Sequence, residues 1–403
     1  MYFSFLLFSF SVILLGNFDK IFLPGYELKK VFFIILIFSF MIKFLYRKIA
    51  LRSVLLFTVF SVYALSLACF SLFYSGNIGS FITEVSPYFI PIIFLFLIDF
   101  LSKEELVKIN EFILLLLLLF SAIHLLYPVL FILGDAFSIP YYAFIKYFYD
   151  SAKHLDSLAY SEYYLFFPRL QVGSSILLLL GLFYVEINKN EYTKLKYVLL
   201  TLYFIASVLV TQSRILIVSV VLFYLLLPCY RSLFRSFTSK FSRTIMFGFT
   251  LFTPLILTFI AIFFDITNIL GLSKGDLGDS ERYIQLLSFI ESLNQNVLFG
   301  TGLGSSSIYV RSIESPWLYE LSLLSFIYKL GLIGFLVFVV LALLMFFLKY
   351  KTNKEDDYVV SLSFIFVFVL SSNTNPYLSN FAGGFILCMV YVTLFGRGKL
   401  NYD

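Results

Sequence analysis

The chain has 403 residues, of which 61% are hydrophobic and 13% are charged. A soluble domain carries about 25% charged residues, so this composition excludes an ordinary soluble protein. The formal net charge of +5 does not indicate a nucleic-acid partner, because most of the basic residues stand in short loops between apolar runs.

Apolar runs long enough to cross a hydrocarbon core recur from end to end. They are uniformly apolar, which favours helices over membrane strands, and the first run lacks the positive flank of a signal peptide. The sequence therefore predicts an all-α polytopic integral membrane protein with about twelve transmembrane helices in a single domain, 1–403. The predicted spans are 2–16, 31–46, 53–74, 87–100, 111–130, 170–187, 197–212, 214–228, 245–264, 317–348, 358–372 and 381–396.

Basic residues in alternate short loops predict the orientation of the spans, with both termini in the cytoplasm. Two long connections then lie on the outer side, at 134–169 and, between the ninth and tenth spans, at 265–316. The first is rich in tyrosine and contains His154. It is either an interfacial segment, where tyrosine collects, or a surface on which sugars stack.

The second long connection predicts an amphipathic helix. Ser280 is a candidate N-cap, and apolar residues then recur every third position at Ile284, Leu287, Ile290 and Leu293. We expect this helix to lie against the outer membrane surface or to cover a cavity.

The next apolar run, 317–347, is too long for one untilted span, since its helical length is about 46 Å. A break is expected near Lys329-Leu330-Gly331. The part before the break would be external or re-entrant, and the part after it would be the true span.

Signatures of soluble enzymes are absent from the sequence. Gly300, Gly302 and Gly304 lack the preceding strand of a dinucleotide fingerprint. His124 and His154 form no cluster at metal-ligand spacing, and His124 is predicted to form a hydrogen bond in helix packing. The three cysteines lie far apart, which excludes a disulfide framework. The sequence thus predicts neither a metal nor a cofactor.

Arginines at the outer ends of predicted spans are the strongest chemical signal. Arg169 and Arg214 each open a span, Arg282 opens the amphipathic helix, and Arg311 follows in the same connection. Charges beside membrane spans are functional-site hypotheses by default, and guanidinium groups bind phosphate oxygens in bidentate fashion. The alternative for each arginine alone is that it extends to the lipid headgroups.

Four segments together resemble the O-antigen polymerase and ligase superfamily. Thr211-Gln212-Ser213-Arg214 resembles its T-x-S-R segment, and Arg169-Leu170-Gln171-Val172-Gly173 resembles the opening of an earlier span. Arg282 followed by Asn296–Gly304 resembles the family's arginine and N-P-x-x-G-x-G stretch, and Ser315–Leu318 with Leu330–Gly334 resembles its ending. The resemblance covers residues 165–345.

The resemblance implies a repeat-unit polymerase in the bacterial inner membrane. Such an enzyme transfers a growing glycan from undecaprenyl diphosphate onto an incoming lipid-linked repeat unit at the periplasmic face, building O-antigen, capsule or a related polysaccharide. Implied partners are undecaprenyl-diphosphate-linked oligosaccharides, membrane lipid, and a chain-length regulator and flippase of the same pathway. The connection 265–316 has no histidine, unlike the ligase relatives, and Lys329 and Val297 replace the family's acid and proline.

Under this interpretation the arginines bind the diphosphates without a metal. The candidate general base is Glu314, with Asp279, Glu281 and His154 as alternatives. Gly302 shapes a tight loop that admits a glycan or is a plain turn, and Trp317 stacks a sugar or anchors the interface. The open alternatives in function are a ligase-like transferase and a flippase or transporter for lipid-linked oligosaccharides, which also needs cationic outer sites.

Overall fold

The structure is a computed structural model of the chain. It describes residues 1–15, 28–46, 51–75, 101–137, 170–263, 277–310, 318–349, 355–373 and 380–396, with the shorter pieces 79–82, 84–85, 87, 90, 93, 158–159, 316 and 377–378.

The described residues are almost entirely helical. The one strand pair among them, β1 (Leu158–Ala159) with β2 (Gln171–Val172), is antiparallel, and Leu158 faces Val172. The helices are α1 (Tyr2–Phe10, continued by a π-turn at Ser11–Leu15), α2 (Leu28–Tyr46), α3 (Leu51–Ser75), α4 (Lys103–Phe137), α5 (Leu177–Ile187), α6 (Lys194–Val210), α7 (Arg214–Ser236), α8 (Lys240–Phe263), α9 (Leu277–Gln295), α10 (Ser322–Lys349), α11 (Glu355–Ser372) and α12 (Phe381–Gly396).

Within the part of the chain that the structure describes, four helical segments are long and apolar enough to cross a membrane: Glu104–Leu130, Arg214–Ser236, Lys240–Thr258 and Ser322–Leu344. Shorter apolar helices include Tyr2–Leu15, Thr58–Phe73, Leu177–Ile187 and Phe381–Leu394. These segments confirm the prediction of a helical membrane protein. The count of about twelve spans, the orientation and the single domain stay predictions.

The chain groups into two compact units, each described by itself. The first unit contains residues 1–48 and 100–222, and the second contains residues 49–99 and 223–403. In the first, α4 packs against α1, α5 and α6. Its centre is α5, whose residues are all buried, as expected for a helix that is apolar on every side.

Small and polar residues bring the helices of the first unit together. A Cβ atom on Gly181 of α5 would overlap the ring of Phe204 in α6, so glycine permits this close contact. His124 of α4 lies 3.0 Å from the Phe120 carbonyl and 3.1 Å from the Ser175 hydroxyl, and is buried. The predicted role of His124 in helix packing is confirmed.

In the second unit, α8 packs against α10 and α11, and α10 also contacts α3 and α9. One end of this unit is held by ion pairs: Arg231 to Asp356 and Arg235 to Glu355, both at 3.0 Å. Phe247 of α8 stacks on Phe346 of α10, with 4.3 Å between ring centroids.

Three predicted boundaries are wrong. The span predicted at 170–187 becomes helical only at Leu177, because residues 171–172 pair with β1 instead. The connection predicted to begin at Gly134 begins after α4 ends at Phe137. Ser280 is not an N-cap, since α9 already begins at Leu277. The fourth predicted span lies almost wholly outside the described residues.

The apolar face that the sequence predicts for α9 is exposed within the protein, and its contact with the membrane surface or a cavity stays a prediction. Ile284, Leu287 and Ile290 are 44–48% exposed. The buried face instead carries Leu286 and Phe289, together with the polar residues Gln285, Ser288 and Ser292. Gln285 and Ser288 form hydrogen bonds with the segment after the helix, as described below. The predicted end of the helix at Asn294–Asn296 is confirmed.

Candidate functional site: a helix break held by a glycine loop

Helix α10 is interrupted at Gly331, where φ is 66° and ψ is 178°. This confirms the break that the length of the apolar run predicted. A break leaves the first N–H groups of the following helix without intrahelical acceptors. Here Leu332 N donates to Val297 O and Ile333 N donates to Leu298 O, both at 3.0 Å. The segment 296–304, called the glycine loop below, thus caps the second half of α10.

Gly300 of the glycine loop lies directly against Gly331. A Cβ atom on Gly300 would lie 2.4 Å from Gly331 N, and a Cβ atom on Gly331 would lie 2.4 Å from Gly300 N. Both residues have positive φ, 71° and 66°. Only glycine meets both demands without strain, so each glycine depends on the other.

The remaining glycines bring the loop against other parts of the second unit. Gly302 N donates to Lys329 O at 2.9 Å, and Leu303 N donates to the Ser71 hydroxyl at 2.8 Å. A Cβ atom on Gly302 would lie 2.9 Å from Ser71 Cα. The close approach predicted at Gly302 is therefore to the chain itself, and contact with a glycan stays a prediction.

A buried ion pair lies beside this loop. Lys329 Nζ is 2.5 Å from Glu84 Oε1, and the two side chains are 0% and 3% exposed. The other Glu84 oxygen accepts a hydrogen bond from Gly304 N at 2.5 Å. Buried charges are stable only when they are paired and hydrogen-bonded. Glu84 thus joins the last turn before the break to the end of the glycine loop.

A hydroxyl network continues from the loop to α9. Ser307 N donates to the Tyr319 hydroxyl at 2.7 Å, and Tyr319 donates to Tyr309 O at 3.1 Å. Ser288 of α9 donates to the Ser307 hydroxyl at 2.8 Å and accepts from Tyr309 N at 3.0 Å. Burial raises the pKa of Tyr319, partly offset by its hydrogen bonds with Ser307.

Aromatic rings fill the space between the network and the ion pair. Phe289 of α9 meets Tyr319 edge-on at 4.9 Å and stacks on Tyr328 at 5.2 Å between ring centroids. Lys329 Nζ lies 5.5 Å from the centre of the Tyr319 ring, within the range of a cation–π interaction. Helix α9 is thereby fixed to the first half of α10.

Arg282, in the first turns of α9, forms an ion pair with Glu320. Arg282 Nε lies 2.9 Å from Glu320 Oε2, and the side chains are 29% and 13% exposed. Glu320 N also donates to Gln285 Oε1 at 3.2 Å. The backbone and the side chain of Glu320 are therefore both held by α9, and the carboxylate fixes the direction of the guanidinium.

Arg214 is in the first unit, at the short turn between α6 and α7. Thr211, Gln212 and Ser213 are buried, and Arg214 is the exposed first residue of α7. The Thr211 hydroxyl accepts from Ser213 N at 3.2 Å, and Gln212 adopts a positive φ of 48°. This tight turn confirms that Arg214 stands at the ends of two helices.

The other predicted site residues are only partly covered by the structure. Asp279 lies in the first turn of α9. Glu314, His154, Arg169, Arg311 and Trp317 lie outside the described residues. Arg282 and Gly302 belong to the second unit and Arg214 to the first, so the predicted convergence of the arginines stays a prediction. Among the described residues, no cluster of three or more His, Cys, Asp or Glu side chains could hold a metal ion.

Sequence reasoning missed Glu84 and Glu320. A lysine within the apolar run, Lys329, requires a buried acidic partner, and that requirement was a usable signal. Glu84, just before the predicted span 87–100, was a candidate for this acidic partner of Lys329. Glu320 was assigned to the predicted span 317–348, whereas α10 begins only at Ser322.

Comparisons with known proteins yield no relative. No protein-family model matches the chain, and neither curated proteins nor solved structures give a match.

Proposed function

We propose that this protein is a membrane glycosyltransferase that polymerises undecaprenyl-diphosphate-linked repeat units. The observation that carries the proposal is the contact between two of the resembling segments. Asn296–Gly304 and Leu330–Gly334 are apart in sequence, yet they bond backbone to backbone and place Gly300 against Gly331. Two motifs that form one structural unit support the resemblance better than either motif alone.

In this proposal Arg282 binds a diphosphate. Glu320 orients the Arg282 guanidinium. The glycine loop holds the second half of α10 in place. Arg214, exposed at the start of α7, binds a second diphosphate group. Neutralising the diphosphate makes it a good leaving group, while a carboxylate accepts the proton of the attacking sugar hydroxyl. Glu314 remains the proposed base.

The decisive experiment is polymerisation of a purified lipid-linked repeat unit by the purified protein. The proposal expects products longer than one unit from the wild type, and loss of long products in Arg214→Lys and Arg282→Lys. Arg235→Lys is a matched control, because Arg235 forms a surface pair at the other end of the second unit. Normal product lengths in both site variants would contradict the arginine mechanism.

A second candidate is a flippase for lipid-linked oligosaccharides. The observation that favours it is the break in α10, since discontinuous helices are typical of transporters. Deleting the gene separates the two functions. Loss of a polymerase leaves single repeat units on the cell surface, whereas loss of a flippase leaves none and traps units inside.

A further inference from the structure

The second unit contains a partly open cavity of about 260 Å³ between α3, α8, α10, α11 and α12. None of the described residues that line it is charged, and only Tyr63 and Tyr391 among them carry a polar side-chain atom. The Tyr63 hydroxyl donates to Gly334 O at 2.7 Å, so it is already used within the protein. The walls therefore offer a ligand almost nothing except hydrocarbon contact.

This lining determines what can occupy the cavity. A buried water needs two to four polar partners, and sugars or phosphates need more. An empty space of this size loses the dispersion contacts of its whole lining. Any occupant of this cavity is therefore apolar.

The size of the cavity narrows the choice further. An apolar protein cavity of about 150 Å³ accepts a benzene-sized molecule, so about 260 Å³ suits a chain of roughly ten carbons on the same scale. That is part of a fatty acyl chain, and about two isoprene units of a polyprenyl carrier on the same scale. Helices α8 and α10, which form two of the walls, are long and apolar enough to cross a membrane. Lipid of the surrounding bilayer is therefore the apolar molecule available to this cavity.

We propose that this cavity binds one acyl chain of a membrane phospholipid. Leu303 of the glycine loop and Val85, next to Glu84, both form part of the wall. The bound chain therefore supports the glycine loop and the region of the buried ion pair. This proposal is independent of the proposed glycosyl transfer.

The test is to purify the protein in a mild detergent and to quantify the lipid that it retains by mass spectrometry. Ala64→Phe and Ala342→Phe place a ring in the cavity, because both alanines line it. Leu65→Phe is the matched control, since Leu65 is the next residue of α3 and is 64% exposed. We expect the wild type and Leu65→Phe to retain phospholipid and the two cavity variants to lose it.

A second measurement does not depend on the variants. Wild-type protein stripped of lipid should melt at a lower temperature, and added phospholipid should restore the loss where polyprenyl phosphate does not. Three results would overturn the proposal: no lipid on the wild type, equal phospholipid on the cavity variants and the control, or restoration by polyprenyl phosphate alone.

Discussion

Glu84 uses both of its carboxylate oxygens, one for Lys329 Nζ and one for Gly304 N. Neither charge of the pair reaches solvent to any useful extent. Removing one partner from a buried pair leaves an uncompensated charge, whereas replacing both partners removes the problem. The pair therefore predicts opposite outcomes for single and double substitutions.

We expect Lys329→Met to lower the free energy of unfolding by about 3–5 kcal/mol. The double variant Glu84→Gln with Lys329→Met should recover most of that loss, because the glutamine still accepts from Gly304 N. Thermal unfolding of the purified proteins measures both. Lys189→Met is the control, since Lys189 pairs with Glu186 but is 50% exposed, and such pairs contribute about 0–1 kcal/mol. Equal melting of Lys329→Met and the control would refute this role of the pair.

The contact between Gly300 and Gly331 gives a second prediction for single residues. Alanine at either position should destabilise the protein by at least about 1–2 kcal/mol from the positive φ alone, with the backbone overlap added. Gly248→Ala is the control. It lies within α8 and its new methyl would meet only the end of Leu343, at 3.3 Å, while helix propensity favours alanine by about 1 kcal/mol. Similar melting temperatures for all three variants would count against the importance of the contact between Gly300 and Gly331.

Hydroxyl groups join α9 to the described residues that follow the glycine loop. The centre of this network is Tyr319, which is 1% exposed and accepts from Ser307 N. Helix α9 turns Gln285 and Ser288 towards these residues and leaves Ile284, Leu287 and Ile290 exposed. The exposed apolar face agrees with the expectation that α9 lies against the membrane surface, which stays a prediction.

Tyr319→Phe should cost about 1–3 kcal/mol, because Ser307 N loses its acceptor in a buried position. The effect should depend on pH. The pKa of Tyr319 is raised in the folded protein, so its stabilising contribution is complete below the unfolded value of about 10. That contribution is lost as the pH rises through the higher folded pKa.

The measurement compares melting temperatures of the wild type and the variant at about pH 8 and about pH 11. The gap between them should narrow at the higher pH, since only the wild type has Tyr319 to ionise. A gap that stays constant or widens would show that the hydroxyl does not titrate in this way.

At the scale of the whole molecule, we predict the orientation of the helices in the membrane. Loops rich in lysine and arginine predict that the connection between α5 and α6 is cytoplasmic and that α9 is external. Asn190 and Asn294 are exposed residues in these two places. Single cysteines there report on the side of the membrane.

In a variant with Cys69, Cys229 and Cys388 replaced by alanine, Asn294→Cys should react with a membrane-impermeant maleimide in cells whose outer envelope is permeabilised. Asn190→Cys should react only after the inner membrane is broken. Reaction of both positions while the inner membrane is intact, or the reverse pattern, would contradict the predicted orientation.

Apolar runs and length arguments predicted the helical class and even the break near Gly331, because both follow from local sequence. The partners of the break could not be predicted in this way. Gly300 meets Gly331, and Glu84 meets Lys329, through contacts distant in sequence that no periodicity records. The buried polar face of α9 could not be predicted for the same reason, because Gln285 and Ser288 form hydrogen bonds with residues later in the chain.

The cap of Leu332 and Ile333 by the glycine loop also makes the bend dependent on residues outside α10. During insertion, unbonded backbone N–H groups are costly at membrane depth, so the apolar sequence of α10 has no reason to bend on its own. We therefore expect the bend to be stable only when residues 296–304 are docked against it. Ser71 and Glu84, which receive the loop, come from earlier in the chain and are already synthesised when the loop docks.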